Sequence, residues 1–177
     1  MQLVPVNLAK LHDRNVYDSA LEIAVNIARA VESDTMSLKT PEKLTELAVL
    51  LMTTVQGCSC GYVIPAEGQM MQVQPALAQY NLARLRRLLG GWCQPAPRNE
   101  GTPWHNRHRL IIREQEDVTD QPVNPLASLI AGTVSRGTAC FIPANQIDRS
   151  LHKAPRWKSS APINLELPFA KPSAAAG

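Results

Sequence analysis

The stretch LARLRRLLGGWCQPAPRNEGTPWHNRHRLIIRE, residues 82–114, gathers seven arginines, two histidines and two tryptophans around one interior acid, Glu100. Phosphate recognition suits such a set. A guanidinium is a planar fork that donates two parallel hydrogen bonds to a phosphate, and an indole is a flat surface on which a base stacks. Arg84, Arg87, Arg107, Arg109 and Arg113 are therefore the candidate nucleic-acid-binding residues, with Trp92 or Trp104 as a stacking surface. Arg84 and Arg87 share a helical face that Arg86 does not, and Arg107, Arg109 and Arg113 alternate imperfectly with Leu110, Ile111 and Ile112. No helix-turn-helix, RNP-type strand or zinc finger accompanies them. The competing reading is a solvated surface whose arginines pair with Glu114, Glu116 and Asp117, the tryptophans being core residues.

Thiolates and imidazoles bind zinc when they converge in a tetrahedron, usually from two knuckles whose ligands are roughly two to four residues apart. Cys58, Cys60 and Cys93, with His105, His108 or Cys140 as a further ligand, offer one C-x-C pair and then single residues, which is poor spacing. Unpaired cysteines behave as small apolar side chains, so no metal and no other cofactor is expected. A nucleophile assembled from Cys58 or Ser135, a histidine and Asp117 or Asp120 has meaning only if the fold brings the groups together. AGTVSRGTAC lacks the Gly-Lys-Ser/Thr ending of a phosphate-cradling P-loop, and neither H-E-x-x-H nor G-x-S-x-G occurs. The expectation is a protein that is not an enzyme.

The distal segment IDRSLHKAPRWKSSAPINLELPFAKP combines Arg149, Lys153, Arg156, Lys158 and Lys171 with spaced apolar residues. An extended arm of this kind adds to a neighbour's sheet edge or lies in a groove, its apolar residues setting the register. Trp157, Leu165, Leu167 and Phe169 are the candidate partner-binding anchors.

The elements that must position these residues read as helical first and irregular later. In NVYDSALEIAVNIARAVES, Val16, Ala20, Ile23, Ile27 and Val31 form one stripe with Ala24 and Ala28 beside it, and Asn15 or Asp18 is the candidate N-cap. TPEKLTELAVLLMTTVQG starts with Thr40 as N-cap and Pro41 at the first helical position, carries the stripe Leu44, Leu47, Leu51 and Val55, and stops at Gly57. GCSCGYVIPAEGQ reads as a loop. MMQVQPALAQYNLARLRRLLGG reads as a third helix, begun or kinked by Pro75 and ended by Gly90 and Gly91. HRLIIRE and TACFIP read as short strands, NPLASLIAG as a short helix capped by Asn124, and INLELPF as an extended segment. The fold class expected is mainly α: a bundle of about three helices over residues 1–92, maintained by Ile23, Ile27, Leu47 and Leu51, then a proline-rich, largely irregular region over 93–177 with a few short strands.

Composition sharpens the contrast between the halves. Residues 1–67 hold three prolines and a net charge of −3, while residues 68–177 carry +6 and ten of the fourteen prolines lie in 95–172. A basic second half suits polyanions or an acidic protein surface. MQLVPVNLAK lacks the apolar core of a signal peptide, and the longest apolar run, LAVLLM at 47–52, falls far short of a membrane span, so no membrane partner is expected. The four cysteines do not form a secreted disulfide framework, which suggests reduced thiols and a place in the cytoplasm or in a particle assembled inside the cell. The function expected is a structural or assembly protein that joins subunits of a larger complex, copies of itself included, through the arm; a virion component is compatible with that shape. The alternative is a nucleic-acid-associated accessory factor acting through the arginines.

Overall fold

The computed structural model describes residues 3–5, 14–30, 38, 40–56, 60–73, 80–97, 107–114 and 118–147. Along the chain they form β1 (Leu3–Pro5), α1 (Arg14–Ala30), α2 (Pro41–Gln56), β2 (Gly61–Ile64), β3 (Met71–Val73), α3 (Leu82–Leu89), β4 (Cys93–Pro95), β5 (His108–Arg113), α4 (Pro125–Ala131), β6 (Ala139–Pro143) and a 3-10 turn at Ala144–Gln146. The strands make one six-stranded sheet in the order β1-β3-β2-β6-β5-β4, every pairing antiparallel. The fold is mixed α/β, which corrects the expectation of a mainly α protein built on a three-helix bundle.

The correction has a local physical cause. Gly61, Tyr62, Val63 and Ile64 are all buried, so β2 shows no alternation of apolar and polar residues, and the glycine and proline around it read as a loop. Met71–Val73, assigned from sequence to the start of the third helix, pairs with β2 as a strand; α3 begins only at Leu82. The last strand, β6, lies between β2 and β5, so the sheet takes strands from both sides of residue 92.

Helices cover both faces of the sheet. Tyr62, Ile64, Leu110, Ile112, Ala139 and Phe141 point to one face and share a core with α1, α2 and α4. The residues between them, Val63, Ile111, Cys140 and Ile142, point to the other face and pack with Leu85 and Leu89 of α3. Helix α2 is central: Leu47, Ala48, Val49 and Leu50 are all fully buried, as expected of a helix enclosed on every side. Its start matches the sequence reading, with Pro41 first in the helix and the Lys43 N–H donating to Thr40 Oγ1 at 3.3 Å. In α1 the buried line runs through Ala20, Ala24, Ile27 and Ala28, whereas Ile23, placed in the stripe from sequence, is 45% exposed. Small alanines let α1 approach α2 closely, so the contact line is centred on Ala24. Asn15 and Asp18, the candidate caps, lie inside α1, which begins at Arg14.

Asn124 joins α4 to the sheet. Its Oδ1 accepts from Ala127 N–H at 3.0 Å as the helix N-cap, and its Nδ2 donates to the Ile64 carbonyl at 2.9 Å and the Gly137 carbonyl at 2.8 Å. Glu46 does the same for α2: its carboxylate accepts from Met70 N–H at 2.6 Å and pairs with Lys43 at 2.8 Å. Among the described residues, no helix is long and apolar enough to cross a membrane.

Candidate nucleic-acid interface

Helix α3 owes its length to its two ends. Asn81, extended at φ −87° and ψ 164°, caps it by accepting from Arg84 N–H at 2.9 Å. Gly90 is left-handed at φ 73°, and Gly91 N–H donates to the Arg86 carbonyl at 3.1 Å, a Schellman-type end that only a residue without Cβ takes easily. Within those limits Leu85 and Leu89 are buried against the sheet, with Leu82 and Leu88 packed beside them. Arg84, Arg86 and Arg87 occupy the remaining surface. Arg84 lies over the Tyr80 ring with its guanidinium carbon 5.7 Å from the centroid, and Arg87 is exposed.

Strand β5 adds to the same side. Leu110 and Ile112 face α2 and α4 whereas Ile111 faces α3, so Arg109 and Arg113, in phase with Ile111, lie on the α3 side. Arg113 runs across Gly91, where a Cβ would come within 2.9 Å of Nη2. Arg107 is different. Its Nη1 donates to the Thr54 carbonyl at 3.2 Å, near the C-terminal end of α2 on the opposite face. The structure thus places Arg84, Arg87, Arg109 and Arg113 on the α3 side of the sheet and directs Arg107 elsewhere. Between them α3, β4 and β5 contain no Asp or Glu; Glu114 follows β5 directly.

Sequence reasoning missed Arg86, which it set apart from Arg84 and Arg87. The Gly90–Gly91 reversal folds the chain back on the last turn of α3, and the Arg86 guanidinium lies 3.3 Å from the centroid of the Trp92 ring. The one signal available was the double glycine between an arginine and a tryptophan six positions apart. Trp92 is 56% exposed, contrary to the reading of the tryptophans as core residues. Its backbone is held, because Glu114 N–H donates to the Trp92 carbonyl at 3.1 Å.

The other candidate chemistry does not assemble among the described residues. Cys60 packs on the α2 side of the sheet and accepts from Gln72 Nε2 at 3.1 Å, whereas Cys93 belongs to the α3 side. The sheet therefore separates two of the three proposed zinc ligands; Cys58 and His105 lie outside the described residues, and no group of His, Cys, Asp and Glu among the described ones could hold a metal. Burial pushes the Cys93 thiol up to about 11, against a smaller opposing pull from Arg86, and raises that of Cys140 as well, so both are protonated at neutral pH. His108 is buried and stacked on Phe141, with ring centroids 4.7 Å apart. The Ser135 hydroxyl, also buried, has no hydrogen-bond partner among the described residues and thus no base there to activate it.

Trp104, Asp117 and the four arm residues Trp157, Leu165, Leu167 and Phe169 lie outside the described residues. Comparison of the chain with protein-family models, with curated proteins and with solved structures found no match in any of the three.

Proposed function

We propose that this protein is a nucleic-acid-associated accessory factor that binds the phosphate backbone through the arginine-bearing side formed by α3 and β5. The observation that carries the reading is the placement of Arg84, Arg87, Arg109 and Arg113 on the α3 side of the sheet; Glu114, directly after β5, is close enough to act on the Cys93 thiol there. A group of guanidiniums attracts phosphate over a distance of about a Debye length, and each neutralised phosphate releases counterions.

The experiment is oligonucleotide binding across a range of salt concentrations for the wild type, for the double variant Arg87→Glu/Arg109→Glu and for Arg29→Glu. Arg29 is an exposed arginine on α1, across the sheet, and serves as the control for a change of net charge alone. The wild type should lose affinity steeply with salt. The double variant should bind about 10-fold or more weakly, and its salt slope on a single strand should be shallower by about 0.7 for every phosphate that it no longer neutralises. Arg29→Glu should bind like the wild type. Binding of poly-glutamate with none of oligonucleotide would replace this reading with an acidic protein partner.

A second role, the joining of subunits through the C-terminal arm, draws its support from the spacing of Trp157, Leu165, Leu167 and Phe169 in a proline-interrupted, basic segment. The two roles use different parts of the chain and are compatible.

A further inference from the structure

The arginines account for phosphate, but phosphate alone leaves Trp92 unexplained. A large aromatic residue is 56% exposed in a turn whose neighbours on either side, Leu89 and Cys93, are buried. Its backbone is held, Glu114 N–H donating to its carbonyl at 3.1 Å, and the Arg86 guanidinium covers one ring face at 3.3 Å. Arg86 Nε is buried and has no hydrogen-bond partner among the described residues, and the guanidinium that covers the indole also acts on the Cys93 thiol. An indole with a cation over one face, more than half of the residue being exposed, is a flat surface in the turn where Arg113 crosses Gly91 and Glu114 pairs with the Trp92 backbone. In a duplex every base face is already stacked on a neighbour, whereas a single strand offers bare base faces at the spacing of its phosphates.

We infer that this side of the protein takes single-stranded nucleic acid, with an unstacked base lying on the open face of Trp92 while Arg87, Arg113 and Arg109 hold the flanking phosphates. The inference rests on the arginine-face reading and adds the class of nucleic acid. Stacking on an indole is blind to base identity, so the preference is for single strands over duplexes and not for a sequence.

The test uses the full chain with three probes of equal length: a mixed-sequence single strand, its duplex, and an abasic strand that keeps the phosphates but has no bases. Wild type should bind the base-bearing strand about 5- to 150-fold more tightly than the abasic strand, the span expected for stacking of one base on an aromatic side chain. Trp92→Ala should lose that advantage while binding the abasic strand as before, and Trp92→Phe should restore most of it; because Trp92 is exposed, both variants should keep the wild-type fold. Equal binding of the base-bearing and abasic strands, or a Trp92→Ala protein indistinguishable from wild type on the base-bearing strand, would overturn the inference and leave the phosphate reading standing. Failure to bind any of the three probes would overturn both.

Discussion

Cys93 and Cys140 show how position in the sheet sets the chemistry of a side chain. Each sits on a strand with its thiol on the α3 side, and burial is the first cause of its raised pKa. Burial also raises the phenol of Tyr80, although Arg84 pulls the other way. The sign follows directly. A native chain whose Cys93 thiol holds its proton up to about 11, against 9.0 when unperturbed, is stabilised fully below about pH 9 and loses that contribution as pH rises toward 11. The urea midpoint of the wild type should therefore fall between about pH 8.5 and 11, and Cys93→Ala should fall less steeply over the same interval, the remainder coming from Cys140 and Tyr80. Identical slopes for the two proteins would show that the Cys93 thiol is not raised in the native fold. Asn124 is the complementary case, a polar side chain whose buried position is sustained because its oxygen and both amide hydrogens are used.

At the scale of elements, β2 is defined by what presses on it. A Cβ at Gly61 would stand 2.6 Å from the Tyr80 hydroxyl and 3.2 Å from Ile142 Cγ2, so the strand and the segment leading into α3 meet where one residue has no side chain. Gly61→Ala should lower stability by about 1–3 kcal/mol through overpacking, measured by urea denaturation. Removing the hydroxyl with Tyr80→Phe in the same chain should return part of the loss, because the nearest clash disappears; an additive double variant would mean that the two residues do not touch. The same crowding explains why the strand was invisible from sequence. Its glycine is there for close packing against Tyr80, yet a glycine next to C-S-C and before I-P-A reads as a turn signal.

For the whole molecule, the pairing of β6 with both β2 and β5 is decisive. The hairpin-forming strands β2 and β3 precede residue 92, β4 and β5 follow it, and the last strand inserts between the two sets. A chain of residues 1–92 should therefore lack a folded core, whereas a chain ending at Ala154 keeps every described element, the last of which ends at Gln146. Circular dichroism and proteolysis of the two truncated proteins distinguish these outcomes. The chain ending at Ala154 also tests the arm: the assembly role requires that it be folded but smaller in solution mass than the full-length protein, and equal masses at every protein concentration would remove that role.

The sequence alone determined the features that are settled within a few residues. Thr40 with Pro41, Asn124 with Pro125, and Gly90 after Leu89 mark helix ends, because capping and left-handed turns are local interactions between a side chain or backbone and its near neighbours. The apolar runs HRLIIRE and TACFIP likewise announced β5 and β6. Only the tertiary structure decided that residues 61–64 and 71–73 are strands, that Ala24 and not Ile23 lies at the centre of the α1 contact, and that Arg107 turns to Thr54 while Arg109 and Arg113 join α3. Each of these depends on a partner far away in the chain, and a short strand buried on both faces has no periodicity of its own until those partners supply its hydrogen bonds.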